Sequence, residues 1–159
     1  MLMKLLFTFI LSYILFSISS EDIKTMLISE KKLRVFAFFG MLYLMMIGLS
    51  ISEKYTINLI IKNLLSMITI FLIMLSISYL GYKLFRVNSL GLGDIKISSI
   101  GALWLGLELS FTALTISFFL SSIYSIYNKI ARRFKKFHQY PFAPFLSIGI
   151  FCSWILDKI

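Results

Sequence analysis

The sequence predicts an all-α polytopic membrane protein, built as a bundle of about six transmembrane helices. Of the 159 residues, 59% are apolar, whereas soluble domains contain roughly 45–50%. Charged residues make up only 14%, against a usual value of about 25%. Disordered chains are poor in aromatic residues, and 16% of this chain is aromatic. No linker, repeat or low-complexity stretch divides it, so we expect one domain over residues 1–159.

The net charge of +9 is interpreted as a signal of membrane topology. Most of the lysines and arginines lie in three segments between apolar runs, and such residues hold loops on the cytoplasmic side. We therefore expect no nucleic-acid partner. Cys152 is the only cysteine and His138 the only histidine, which excludes an intramolecular disulfide and a cysteine zinc site. We expect no metal and no cofactor.

The first three apolar runs predict three membrane helices, over residues 5–20, residues 35–52 and a stretch within residues 57–82. The first run follows Lys4 and ends in small residues, which is also typical of a secretory signal peptide. However, four lysines and arginines lie between residues 24 and 34. Positive charge after an apolar run keeps the following loop in the cytoplasm. We therefore interpret the run as a helix with its N-terminus outside.

Residues 97–127 predict two membrane passes rather than one. A single helix of this length would measure about 46 Å, which exceeds a hydrocarbon core of about 30 Å. One pass would also place the most basic loop, residues 129–136, outside the cell, against the charge rule. A turn at residues 106–108 would separate a short helix from a longer one. With a last helix over residues 142–155, the total is six.

Two of the seven acidic residues are candidates for catalysis. Asp22 closes the first predicted helix and Asp94 opens the fourth, so both lie at one membrane face. Two carboxylates in contact share a proton, and then one activates water while the other protonates a leaving group. The alternatives are structural: Asp94 as a helix N-cap, and Asp22 as a cap or a water boundary. Gly91 and Gly93 either make a turn or leave room for a substrate backbone.

Three segments resemble one family. Gly91-Leu92-Gly93-Asp94-Ile95-Lys96 resembles the G-x-G-D-x-K signature of type IV prepilin peptidases (prepilin leader peptidases), which are intramembrane aspartic peptidases of the GxGD group. The segment from Asp22 to Glu30 resembles the first aspartate block of that family. The segment from Tyr140 to Gly149 is similar to its closing P-F-x-P-F-L-x-x-G block. The resemblance covers roughly residues 19–154.

The resemblance implies that Asp22 and Asp94 are the catalytic aspartates, near the cytoplasmic face. The other matching positions support the motifs or the structure: Gly91, Gly93, Lys96, Lys24, Pro141 and Pro144. Ser29 stands where the family usually has proline, so we expect a less rigid loop after Asp22.

The resemblance further implies a membrane aspartic endopeptidase of the inner membrane. Its substrates would be type IV prepilin-like or pseudopilin precursors, whose short basic leader is cleaved at the cytoplasmic face. We do not expect N-methyltransferase activity, because the paired CxxC motifs of many bacterial members do not occur in the sequence. The alternative is a non-enzymatic membrane protein, such as a small transporter or an assembly subunit. A transporter more often carries its charges at the bilayer midplane, whereas these acids lie at one face.

Overall fold

The computed structural model describes residues 2–86, 90–131 and 140–156, and every regular element in these ranges is a helix, as predicted. The helices are α1 (Leu2–Thr25), α2 (Glu30–Leu49), α3 (Glu53–Phe85), α4 (Leu92–Ile130) and α5 (Ala143–Leu156). Most of the third predicted basic loop lies outside the described residues, together with His138 and Asp157.

Four helices, α1 to α4, are long and apolar enough to cross a membrane, judged by length and composition. Helix α5 is equally apolar but has only 14 residues. At 1.5 Å per residue it measures about 21 Å, less than a hydrocarbon core of about 30 Å. Helix α5 packs against both α1 and α4.

Several helices extend beyond the apolar runs that predicted them. Helix α1 continues to Thr25 and therefore contains Asp22. Helix α3 begins at Glu53, because Ser52 caps it by accepting a hydrogen bond from the backbone N–H of Tyr55 at 3.2 Å. Residues 53–56, which precede the apolar run that predicted the third span, are thus the first turn of α3.

Helix α4 is interrupted at Gly106, the first residue of the predicted turn. Its dihedral angles, φ 74° and ψ 178°, are readily adopted only by glycine. Before Gly106, successive residues of α4 contact positions that lie closer and closer to the C-terminus of α5. After Gly106, they contact positions that lie closer and closer to its N-terminus. The contacting pairs, in chain order, are Gly101–Ile150, Trp104–Trp154, Thr112–Ser153 and Phe118–Phe142. The chain therefore reverses direction, and α4 consists of two antiparallel segments.

The interruption is stabilised by α3. Breaking a helix leaves the last carbonyls before the break without their usual partners. Asn63 supplies one, because its side-chain amide donates to the carbonyl of Leu103 at 2.9 Å. Asn63 itself is buried, so the bond satisfies two groups that water cannot reach.

The centre of the core is the ring of Trp104. It stacks on Phe36 and Tyr43, with ring centroids 5.8 Å away in each case, and meets Trp154 edge-on. Its indole N–H donates to the carbonyl of Phe36 at 3.0 Å. This cluster joins α2, α4 and α5, but it lies ten residues, or about 15 Å along a helix, from Asp94. The first turn of α4 must therefore be held by other contacts.

Candidate active site

Asp22 lies in the last turn of α1 and is only 5% exposed. Its Oδ2 accepts a hydrogen bond from the backbone N–H of Ala143, the first residue of α5, at 3.0 Å. The N–H of Phe142 interacts with the same carboxylate. The first N–H groups of a helix lack partners within it, and the helix dipole favours an anion there. Asp22 therefore caps α5, rather than a short helix after α1 or the water boundary.

The two prolines of the closing block explain why these N–H groups meet Asp22. Pro141 and Pro144 carry no N–H, and Pro144 lies in the first turn of α5, where a missing N–H costs little. Between the two prolines, only Phe142 and Ala143 have N–H groups to donate. Sequence reasoning assigned this block a structural role; the structure shows that it holds the first aspartate.

Asp94 is the third residue of α4, and the N-cap of that helix is Gly91. The carboxylate of Asp94 turns back to the N–H of Gly91, as the third residue does in a capping box. A Cβ on Gly91 would lie 3.1 Å from Oδ2 of Asp94, so a glycine leaves space for this arrangement. The other oxygen, Oδ1, is buried and has no hydrogen-bond partner among the described residues.

The carboxylates of Asp22 and Asp94 are close enough to interact electrostatically. Within the described ranges neither forms a salt bridge, whereas two nearby acids do: Glu21 with Lys32 at 3.3 Å, and Glu30 with Lys96. A buried carboxylate oxygen without a partner is energetically costly. The structure thus brings together two acidic groups that no lysine or arginine of residues 2–86, 90–131 and 140–156 neutralises.

Residues 9–126 match the type IV leader peptidase family. The chain belongs to this family. No curated protein and no solved structure matches. Family membership confirms the resemblance and makes the chain a peptidase of the aspartic, GxGD type; together with the long apolar helices, it indicates a multi-pass membrane protein. The matched range contains both aspartates and ends before the closing block. Ala143, which donates to Asp22, therefore lies outside the matched range.

The two glycines of this leader peptidase's signature have different surroundings. Gly91 faces the carboxylate of Asp94, as described above. Gly93 faces the side chain of Ile28, and a Cβ there would lie 2.7 Å from Cδ1 of Ile28. In this structure the space beside Gly93 is therefore occupied by the side chain of Ile28.

The two lysines of the motifs also differ. Lys96 forms its ion pair with Glu30, the first residue of α2. Lys24 is exposed on the last turn of α1 and has no partner among the described residues. The structure thus places Lys96 in a contact between helices beside Asp94, but it does not bring Lys24 to the aspartates.

Ser29 is the N-cap of α2, with a φ of −66°, which is close to the φ that proline imposes. Its backbone N–H donates to Oε2 of Glu21 at 3.3 Å, a bond that proline could not make. The loop expected to be less rigid is therefore attached to the end of α1 through this bond. Among the described residues, no group of three or more His, Cys, Asp or Glu side chains could hold a metal ion.

Proposed function

We propose that this protein is a membrane aspartic endopeptidase that removes the short basic leader from type IV prepilin-like or pseudopilin precursors. One observation carries the proposal: Asp22 and Asp94, on separate helices, lie close enough to interact electrostatically, and neither has a cationic partner among the described residues. Membership of the leader peptidase family supports the reaction type and the class of substrate.

The two aspartates have different roles in the proposed reaction. Asp22 is held by N–H groups at the start of α5, where the helix dipole favours negative charge, so it acts as the base. It takes a proton from a water molecule, whose oxygen attacks the carbonyl carbon of the scissile peptide bond. Asp94 has a free Oδ1 and donates its proton to the leaving nitrogen as the C–N bond breaks. The proton taken by Asp22 then restores Asp94.

The proposed topology has six crossings in the inner membrane, counting the two segments of α4 separately. Both aspartates then lie near the cytoplasmic face. Asp22 precedes a cluster of basic residues at positions 24–34, and such residues favour the cytoplasmic side. Labelling of single cysteines introduced at Lys31 and Glu53 from either side of intact cells tests this, because only the first should be shielded from an impermeant reagent added outside.

The decisive experiment is co-expression with a candidate prepilin, with cleavage followed as a mobility shift of the precursor. Wild type should cleave, whereas Asp22→Asn and Asp94→Asn should not, at equal protein levels. Glu53→Gln, an exposed acid at the start of α3, is the matched control and should cleave normally. Normal cleavage by both Asp→Asn variants would disprove the proposal. The mass of the new N-terminus tests the further expectation that it is not methylated.

A further inference from the structure

The placement of Asp94 relative to Asp22 is not fixed by direct packing of their helices. In the described residues, the backbones of α1 and α4 do not pack against each other, while α2 and α5 each pack against both. Helix α5 holds Asp22 through Ala143. Among the residues that the structure describes, the carboxylate of Asp94 interacts with Gly91, the N-cap of its own helix, and with Asp22. Its position therefore depends on what holds the first turn of α4.

Residues 26–29 connect α1 to α2. Several contacts attach this connection to the end of α1 that carries Asp22. Met26 reverses the chain in a left-handed conformation, with φ 52°. Oε2 of Glu21 accepts from the N–H of Ser29 and lies 3.3 Å from Nζ of Lys32. Nζ of Lys32 also donates to the carbonyl of Ser17 at 2.7 Å. The start of α2 is thus bound to the last two turns of α1.

The same connection is attached at its other side to the first turn of α4. Ile28 packs on Gly93, the residue before Asp94. Glu30 forms an ion pair with Lys96, two residues after Asp94. The two α4 residues that make these contacts, Gly93 and Lys96, lie on either side of Asp94 in the sequence. The contacts link the α1 end directly to the turn that carries the second aspartate, in addition to the burial of Ile95 in that turn.

We propose that Glu30 and Lys96 are positioning residues, which hold the first turn of α4 so that Asp94 lies in register with Asp22. The inference rests on the proposed peptidase function. The pair is exposed, with side chains 64% and 42% accessible for Glu30 and Lys96, and exposed pairs contribute little to folding stability. Displacement of a catalytic group by about 1 Å can nevertheless lower a rate by about 100-fold. Loss of the pair should therefore affect catalysis more than stability.

Charge reversal tests the pair. Lys96→Glu and Glu30→Lys each place like charges opposite one another, and each should lower kcat for leader cleavage by about tenfold while KM changes less than about twofold. The double variant, Glu30→Lys with Lys96→Glu, restores the attraction and should recover at least about half of the wild-type kcat. If a new side chain lowered kcat by itself, and not by removing the attraction, the loss of kcat would persist in the double variant, or the two losses would add.

Two exposed residues provide matched controls. Lys31→Glu makes the same charge change as Lys96→Glu, one residue from Glu30, at a lysine with no described partner. Glu53→Lys makes the same change as Glu30→Lys at the first residue of a helix that also follows a serine N-cap. Both controls should keep the wild-type kcat. Reversal variants with the kcat of these controls would overturn the inference while leaving the peptidase function in place.

A distance measurement separates the inference from the proposed function, because it needs no cleavage. Spin labels are attached to cysteines at Ile23 and Leu92, which are 60% and 74% exposed, after replacing Cys152 by serine. The label-to-label distance distribution should be narrow in this background, shifted or broadened by Lys96→Glu, and restored by the double reversal. An unchanged distribution in Lys96→Glu would overturn the inference whether or not wild type cleaves. A shifted one without cleavage by wild type would retain the inference and reject the proposed function.

Discussion

Asp22 and Asp94 carry the same chemical group but are held in different ways. Asp22 is almost fully buried and hydrogen-bonded to the backbone of α5, a helix that packs against α4 and α1. Asp94 lies in a first helical turn, and its Oδ1 has no hydrogen-bond partner in the described part of the chain. Besides the buried side chain of Ile95, its turn is attached to the start of α2 by the contact of Ile28 with Gly93 and by one exposed ion pair.

The difference indicates which changes should affect each aspartate. Substitutions that move α5 should act on Asp22 through the core, with a loss of stability and activity together. Substitutions at the start of α2 or α4 should act on Asp94 with smaller effects on stability. The following predictions test this contrast, from the largest expected effect to the smallest.

Gly149→Ala should have the largest effect and should act through Asp22. A Cβ on Gly149 would collide with the backbone carbonyl of Ala113 and the hydroxyl of Ser117 in α4. Since backbone cannot move as a side-chain end can, α5 must shift and take the N–H of Ala143 away from Asp22. We expect a loss of about 3 kcal/mol of unfolding free energy and at least a tenfold loss of cleavage, measured by denaturant unfolding in detergent and by the precursor shift.

The control for this substitution is Ile148→Ala. Ile148 is the neighbouring residue and is 47% exposed, so its truncation should leave both measurements near wild type. If Gly149→Ala and wild type were equally stable, α5 could shift without loss of packing. Asp22 would then not be held through the core, as its contrast with Asp94 requires.

Gly106→Ala should have the second-largest effect. It should lower the free energy of unfolding and displace both aspartates. A Cβ there would be only 3.6 Å from Oδ1 of Asn63, an ordinary contact, so the cost comes from the backbone conformation. A non-glycine residue in this region costs about 1–3 kcal/mol. We expect a stability loss of about 2 kcal/mol and a moderate loss of cleavage, because the segment before Gly106 carries Asp94 and the segment after it packs on α5.

Glu108→Ala is the control for the turn, because Glu108 is exposed two residues further on. Its stability should be that of wild type. A Gly106→Ala protein as stable as this control would mean that the reversal of α4 does not require the left-handed backbone.

The sequence was sufficient for features that depend on local pattern. The interruption of α4 was predicted from Gly106 and the length of the apolar run, and the positions of the two aspartates at helix ends follow from acidic residues that flank apolar runs. Several helices, α1 and α3 among them, were predicted too short, because hydropathy falls at polar residues whereas a helix continues through them. Ser52 shows this, since its cap starts α3 before the apolar run begins. The second predicted span, in contrast, ran three residues past the end of α2 at Leu49.

The contacts that hold the aspartates could not be predicted in the same way. Ala143 is 121 residues from Asp22, and Lys96 is 66 residues from Glu30. Partners so distant in sequence are selected by tertiary packing, and no local periodicity reports on them. A P-x-x-P spacing between residues 141 and 144 did mark the start of α5, but only the fold shows which carboxylate its N–H groups meet.

Gly93→Ala should act on Asp94 with a smaller effect. The new Cβ would meet Cδ1 of Ile28 at 2.7 Å, and this atom is the end of a flexible side chain that can move. We expect a stability loss of about 1 kcal/mol and a severalfold lower kcat. The double variant with Ile28→Ala removes the collision and should recover most of the activity, whereas additive losses would show that Gly93 and Ile28 act independently.

Ser29→Pro should have the smallest effect. The φ of Ser29 already suits proline, and a compatible proline changes stability by less than about 1 kcal/mol. Only the 3.3 Å bond from its N–H to Glu21 is lost, while Glu21 keeps Lys32. Ser29→Ala, which keeps the N–H and loses a hydroxyl that makes no capping bond, is the control. Equal cleavage by both variants is expected. A loss confined to Ser29→Pro would mean that the bond from Ser29 to Glu21 is one of the contacts through which the α1–α2 connection positions Asp94.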